Sequence, residues 1–150
     1  MTTIIALASD HAGYALKAQL VSDLREAGHT VLDLGPDGEA SVDYPDFGAK
    51  LADAIADDRA THGIAVCGSG IGISIAVNRN PAARCALVTS GLMARLARLH
   101  NDANCIALGS RIIGIEVARD CVHEFLNTEF AGGRHAGRVA KLGQTMKEIA

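Results

Sequence analysis

The 150-residue chain has no tryptophan, only two tyrosines and only three phenylalanines. Proteins that grip single-stranded nucleic acid stack bases on such rings, so that class is poorly served. Positive charge is not in excess either: 14 Lys and Arg stand against 17 Asp and Glu, a formal net charge of -3. Binding to a nucleic-acid backbone would need the opposite balance, so no nucleic-acid partner is expected. No apolar run approaches the roughly 20 residues that span a bilayer. The start, Met1-Thr2-Thr3-Ile4-Ile5, lacks the basic stretch of a signal peptide and reads directly as a strand. No membrane partner is expected.

Cysteine is sparse. Cys67, Cys85, Cys105 and Cys121 are far apart, with no Cys-x-x-Cys pair to suggest zinc or a redox motif. A secreted disulfide framework would use a smaller chain with denser Cys, which favours a reducing cytoplasm. Cys85, Cys105 and Cys121 sit in apolar runs and read as small core residues.

What the chain does have is 49% hydrophobic residues, enough for the core of one domain over residues 1–150. Short apolar runs rich in β-branched residues alternate with helical patterns. Strands are expected over 4–8, 29–34, 63–67, 85–88 and 104–108. Helices are expected over 13–27, from near Pro45, over 91–99, over 115–126, and finally from the Gly132-Gly133-Arg134-His135 turn through Met146. Strands apolar throughout and separated by helices indicate a parallel sheet covered on both faces. The expected fold is therefore a Rossmann-like three-layer α/β/α sandwich with a five-stranded parallel sheet. Its last helix has no strand to feed and is free to pack on a neighbouring subunit.

Ligands of such sheets bind outside the carboxyl ends of the strands. Polar residues expected at that edge are Ser9-Asp10-His11, Cys67-Gly68-Ser69-Gly70, Thr89-Ser90 and Gly109-Ser110-Arg111, with His100-Asn101-Asp102 delivered by a helix. The glycine run is spaced G-x-G-x-G, not G-x-G-x-x-G, and no Gly-Lys-Ser/Thr follows. It is therefore neither a dinucleotide fingerprint nor an ATPase loop. Its bare N–H groups at a helix start can hold an anion or a developing oxyanion; the structural alternative is a tight turn. Cys67 beside those groups is either another small strand residue or an available thiolate. Asp10 and His11 cap a helix or line a site, and His100-Asn101-Asp102 is a functional cluster or a polar helix end capped by Asn101. Arg134 and Arg138, four apart on one helix face, are a solvated basic end or a phosphate clamp.

Together these residues resemble the B-type ribose-5-phosphate isomerases within the ribose/galactose isomerase group. The matching segments are Ser9-Asp10-His11-Ala12-Gly13, Asp43-Tyr44-Pro45, and the ten residues from Cys67 to Ala76. Three more are His100-Asn101-Asp102-Ala103-Asn104, Gly109-Ser110-Arg111 and Gly132-Gly133-Arg134-His135. The resemblance implies an aldose–ketose isomerase that needs no metal and no organic cofactor. It also implies a homodimer or tetramer with active sites at the dimer interface, the C-terminal helix serving in dimerisation.

By that resemblance Cys67 moves a proton between C1 and C2, and Ser69 relays protons between O1 and O2. Gly68, Gly70, Ile71 and Gly72 supply loop N–H groups for the enediolate. His100 with Asp10 opens the furanose ring. His11, Arg111, Arg134 and Arg138 bind phosphate, while Asn101 and Tyr44 contact sugar hydroxyls. Ser69 stands where Thr is frequent, which keeps the donor but frees its rotamer. Some members use a glutamate in the next helix instead of the cysteine; here 71–75 reads Ile-Gly-Ile-Ser-Ile, with no carboxylate. Rival readings are an isomerase of allose 6-phosphate or galactose 6-phosphate, and a non-catalytic sugar-phosphate-binding protein.

Overall fold

The computed structural model describes residues 3–144. Five parallel strands, β1 (Ile4–Ser9), β2 (Thr30–Asp33), β3 (His62–Cys67), β4 (Cys85–Leu87) and β5 (Cys105–Gly109), form one sheet in the order β2-β1-β3-β5-β4. The helices are α1 (Tyr14–Glu26), α2 (Tyr44–Ala56), α3 (Ile71–Val77), α4 (Gly91–Asn101), α5 (Ile115–Asn127) and α6 (Arg134–Leu142). The expected architecture is met. The helix expected through Met146 is seen to Leu142, and Met146 lies outside the described residues. No helix among the described residues is long and apolar enough to cross a membrane.

The two faces of the sheet differ in side-chain size, and that difference decides which helices fit. Ile5, Leu7, Ile64, Val66, Ile106 and Leu108 point to the face covered by α1, α4 and α5, where Phe125 is fully buried. The alternate positions, Ala6, Ala8, Ala65, Cys67, Cys105 and Ala107, are small and face α2 and α3. Successive strand residues point to opposite faces, so one strand can carry both patterns. The small face brings α2 and α3 close together; a Cβ on Gly48 would lie 2.7 Å from that of Ala76. Cys67, last residue of β3, projects from this small face.

Among the described residues, one charge is almost fully enclosed. Lys17 on α1 is 1% exposed, and its Nζ donates to Asp33 Oδ1 at 2.7 Å and to the Pro36 carbonyl at 3.0 Å. Hydrogen bonds to charged groups contribute about 1.5–3 kcal/mol each, offset here by the cost of burying the ammonium. The pair ties α1 to the start of the long loop that follows β2 and ends at Tyr44.

Candidate active site

The chain moves from β1 outward to β2, then returns to β3 on the other side of β1. The connections that leave the carboxyl ends of β1 and β3 therefore diverge, and a cleft of about 500 Å³ opens there. Asp10, Tyr44, Cys67, Ser69 and Arg111 line it. Cys67 is 4% exposed, and its Sγ accepts a hydrogen bond from the Gly70 N–H at 3.2 Å. Gly70 has φ +78, which lets the chain turn from the strand into α3; a Cβ there would lie 2.6 Å from Leu87 Cδ1. Ser69 Oγ accepts from the Ile71 N–H at 3.2 Å, leaving its own hydrogen free to donate.

The neighbouring strand ends hold this loop in place. Ser110 and Arg111 donate their N–H groups to the Cys67 and Gly68 carbonyls, both at 2.9 Å. The Arg111 guanidinium covers Gly68, where a Cβ would meet its Nη1 at 3.0 Å. Arg111 is exposed and makes no ion pair among the described residues. The Tyr44 ring lies against Gly72, leaving no room for a side chain there. Asp10 is 8% exposed; one carboxylate oxygen accepts from the Gly13 N–H at 2.9 Å, just before α1. The cap of α1 falls on Gly13 with no side-chain cap bond, which corrects the capping alternative for Asp10 and His11, while Asp10 does line the cleft. His11 Nδ1 lies 3.2 Å from both the N and the O of Val42, so the imidazole is pinned to the loop that leads to Tyr44.

His100 and Asn101 are elsewhere, which corrects the expectation that they share this edge. Helix α4 begins after β4 at the carboxyl edge and runs back across the sheet. It ends at Asn101, beside the start of β5. From Gly63↔Cys105 to Cys67↔Gly109 the ladder has five pairs and four steps, about 13 Å of strand. Asp10 and His100 of one chain therefore do not meet. The cap assigned to Asn101 is also displaced: Asn101 is the last helical residue, and Asp102 caps α4 with φ +45.

Arg134 and Arg138 join His100 at this far edge, because α6 lies against the end of α4. The His135 ring stacks on His100 with centroids 4.5 Å apart and planes 17° apart. Both arginines are exposed and make no ion pair among the described residues. The candidate residues thus fall into two separate groups within one chain, Asp10, His11, Tyr44, Cys67, Ser69 and Arg111 at or beside the cleft, and His100, Asn101, Arg134 and Arg138 at the far edge.

Residues 5–142 match the model of the family described as Ribose/Galactose Isomerase. The chain belongs to this family. Its similarity to ribose-5-phosphate isomerase B of Escherichia coli is 40% identity over 90% of this chain and 91% of that one. A putative sugar phosphate isomerase of Rickettsia conorii is 41% identical over 92% of this chain and 96% of its own length. The fold superposes on ribose-5-phosphate isomerase B of Clostridium thermocellum with a TM-score of 0.95 and 47% identity. That match covers 99% of this chain and 100% of the other.

Within this member of the ribose/galactose isomerase family, one cleft residue, Ile112, was missed in the sequence, and Ser110, named there, makes a contact that was not foreseen. Ile112 lines the cleft beside Arg111. The Ser110 hydroxyl donates to the Ala12 carbonyl at 2.9 Å, fixing the Asp10-His11 turn to β5 across 98 residues of chain. Pattern reading sees neighbours in sequence, and nothing local marks such a contact.

The histidine stack carries a pH dependence. Partial burial, then the nearby Arg134, His100 and Arg138, hold His135 below the usual histidine value of 6.5. A lowered folded-state value favours the neutral ring, so released α6 takes up a proton more readily than docked α6. Docking is fully favoured above 6.5 and weakens as pH falls through that value. Ring-proton NMR is expected to show His135 titrating with a midpoint below 6.5, and amide protection factors in α6, taken relative to the intrinsic exchange rate at each pH, should fall on acidification. A midpoint above 6.5 would contradict the stack.

Proposed function

We propose that the protein interconverts ribose 5-phosphate and ribulose 5-phosphate through an enediolate, in sites shared by two copies of the chain. The observation that carries this reading is the cleft where the Cys67 sulfur, the Ser69 hydroxyl, the helix-start N–H groups and the unpaired Arg111 cation converge. Asp10, with His100 of the partner subunit, opens the furanose ring. The Cys67 thiolate takes the C2 proton from the open aldose, and the electron pair moves to O1. Ser69 passes a proton between O1 and O2, and the Cys67 thiol returns its proton to C1. The ketose is complete and the thiolate restored.

Each preorganised donor to the enediolate is worth about 3 kcal/mol at the transition state. Arg111, with Arg134 and Arg138 of the partner subunit, holds a phosphate remote from the reacting carbons, and that grip supplies positioning. His11 joins them at the phosphate, and Tyr44 and Asn101 meet the sugar hydroxyls.

Pairing of chains has its own support. Ile71, Ile75, Leu92, Met93, Leu96 and Ile112 are large, apolar and exposed around the cleft and the neighbouring helices. Helix α6 buries no residue against its own chain, which suits a role in dimerisation.

The test is a side-by-side assay of ribose 5-phosphate, allose 6-phosphate and galactose 6-phosphate in buffer containing EDTA. The highest kcat/KM is expected for ribose 5-phosphate, with no loss to the chelator. Preference for a hexose phosphate would reassign the substrate, and loss in EDTA would reveal a metal requirement. Binding of all three without turnover would leave a sugar-phosphate-binding protein.

A further inference from the structure

Asp102 is one of two non-glycine residues with positive φ among the described residues, at φ +45 and ψ +44. The other, Asp58, makes no ion pair there, whereas Asp102 is gripped from both sides. Arg84 donates Nε to the Asp102 carbonyl at 2.9 Å and Nη2 to its Oδ2 at 3.3 Å. Arg98 donates Nη1 to Asp102 Oδ1 at 2.9 Å and to the Ala103 carbonyl at 2.7 Å. Its Nε reaches the Thr128 carbonyl at 3.0 Å, just past α5. The Ala131 N–H then donates to the Leu99 carbonyl at 3.1 Å, on the way to α6. Two guanidinium groups therefore fix the last turn of α4, its left-handed exit, and the segment that leads to α6. Arg98 lies two residues before His100, about 200° around the helix, so it holds the turn from the side opposite the imidazole.

We propose that Arg84 and Arg98, through Asp102, are positioning residues that set where the His100 imidazole is presented to the substrate. This rests on the reading of His100 as a ring-opening group. Neither arginine lines the cleft or touches the reacting carbons. A merely structural clamp would secure the left-handed turn; a positioning clamp also fixes the direction of the ring.

Asp102→Gly separates the two, because glycine adopts the turn without strain but has no carboxylate to hold. Arg84→Met removes one side of the grip while leaving the backbone unchanged. Two rates are measured for each variant, together with the thermal midpoint. One is isomerisation of ribose 5-phosphate, which starts from a ring. The other is uptake of solvent deuterium at C1 of ribulose 5-phosphate. Its phosphorylated O5 leaves no hydroxyl able to close a five- or six-membered ring on C2, so no ring opening is needed.

Both variants are expected to keep the wild-type midpoint within a few degrees. Their kcat for ribose 5-phosphate should fall by about 10- to 100-fold, the scale of a misplacement near 1 Å. Deuterium uptake should stay within about 2-fold of wild type. Uptake falling in step with isomerisation would overturn the proposal, as would unchanged isomerisation. Wild-type protein that shows neither rate would instead overturn the isomerase reading, and the clamp with it.

Discussion

Cys67→Ala is expected to lower kcat for ribose 5-phosphate by about 10²–10⁴-fold, the usual contribution of a positioned proton-transfer group. The side chain is nearly buried, and the Gly70 N–H is directed at its sulfur. Alanine removes one atom from the small face of the sheet, at a cost of about 1 kcal/mol, so the fold should persist. Affinity for an inert polyol phosphate, measured by calorimetry, should change little, because Arg111 and the loop N–H groups remain. A variant with normal kcat would remove the proposed base. Alanine at the other cysteines should affect packing alone. Burial pushes the Cys105 thiol up to about 12 and the Cys121 thiol up to about 11, and raises Cys85 as well, so none supplies a thiolate near neutrality.

Mixing two dead proteins should restore activity. Cys67→Ala damages the cleft half of a site, and His100→Ala damages the far half. A dimer with one chain of each kind holds one doubly damaged site and one intact site. After denaturation together and refolding at equal amounts, half the dimers are mixed, and about one quarter of all sites regain both halves. Starting from variants each reduced about 10²-fold or more, that is a large recovery. Recovery absent after confirmed subunit exchange would mean that both groups act within one chain. The case for sharing rests on β3, whose length separates Cys67 from the end of α4 within a single molecule.

The sheet, its helices and the cleft group of candidate residues were legible in the sequence because their determinants are local. Apolar β-branched runs mark the central strands, and the glycines after Cys67 mark a turn that only they can make. The far group was found by residue type and misplaced in space. A motif that follows a helix lies at whichever edge that helix ends on, and α4 runs two residues beyond the expected Leu99, to Asn101. The buried Lys17 looks in sequence like any solvated helix position, since its partners Asp33 and Pro36 are 16 and 19 residues away. The grip of Arg84 and Arg98 on Asp102 is hidden for the same reason: one arginine precedes β4 and the other lies within α4. The expected cap at Asn101 failed by one residue, because an aspartate with two guanidinium partners can occupy a left-handed turn usually left to glycine or asparagine.

The glycines under the cleft also constrain how this scaffold can diversify. A methyl group at Gly70 would strike Leu87 and the Leu108 backbone, one at Gly72 would strike Tyr44, and one at Gly68 would crowd Arg111. These three glycine positions therefore leave little room for a side chain on the floor of the cleft. Selectivity for a longer or shorter sugar must be sought on the rim, in the loop between β2 and α2 and on whatever surface a second chain brings over it. A directed search for new substrates would do well to randomise residues 37–43 and leave 67–72 untouched.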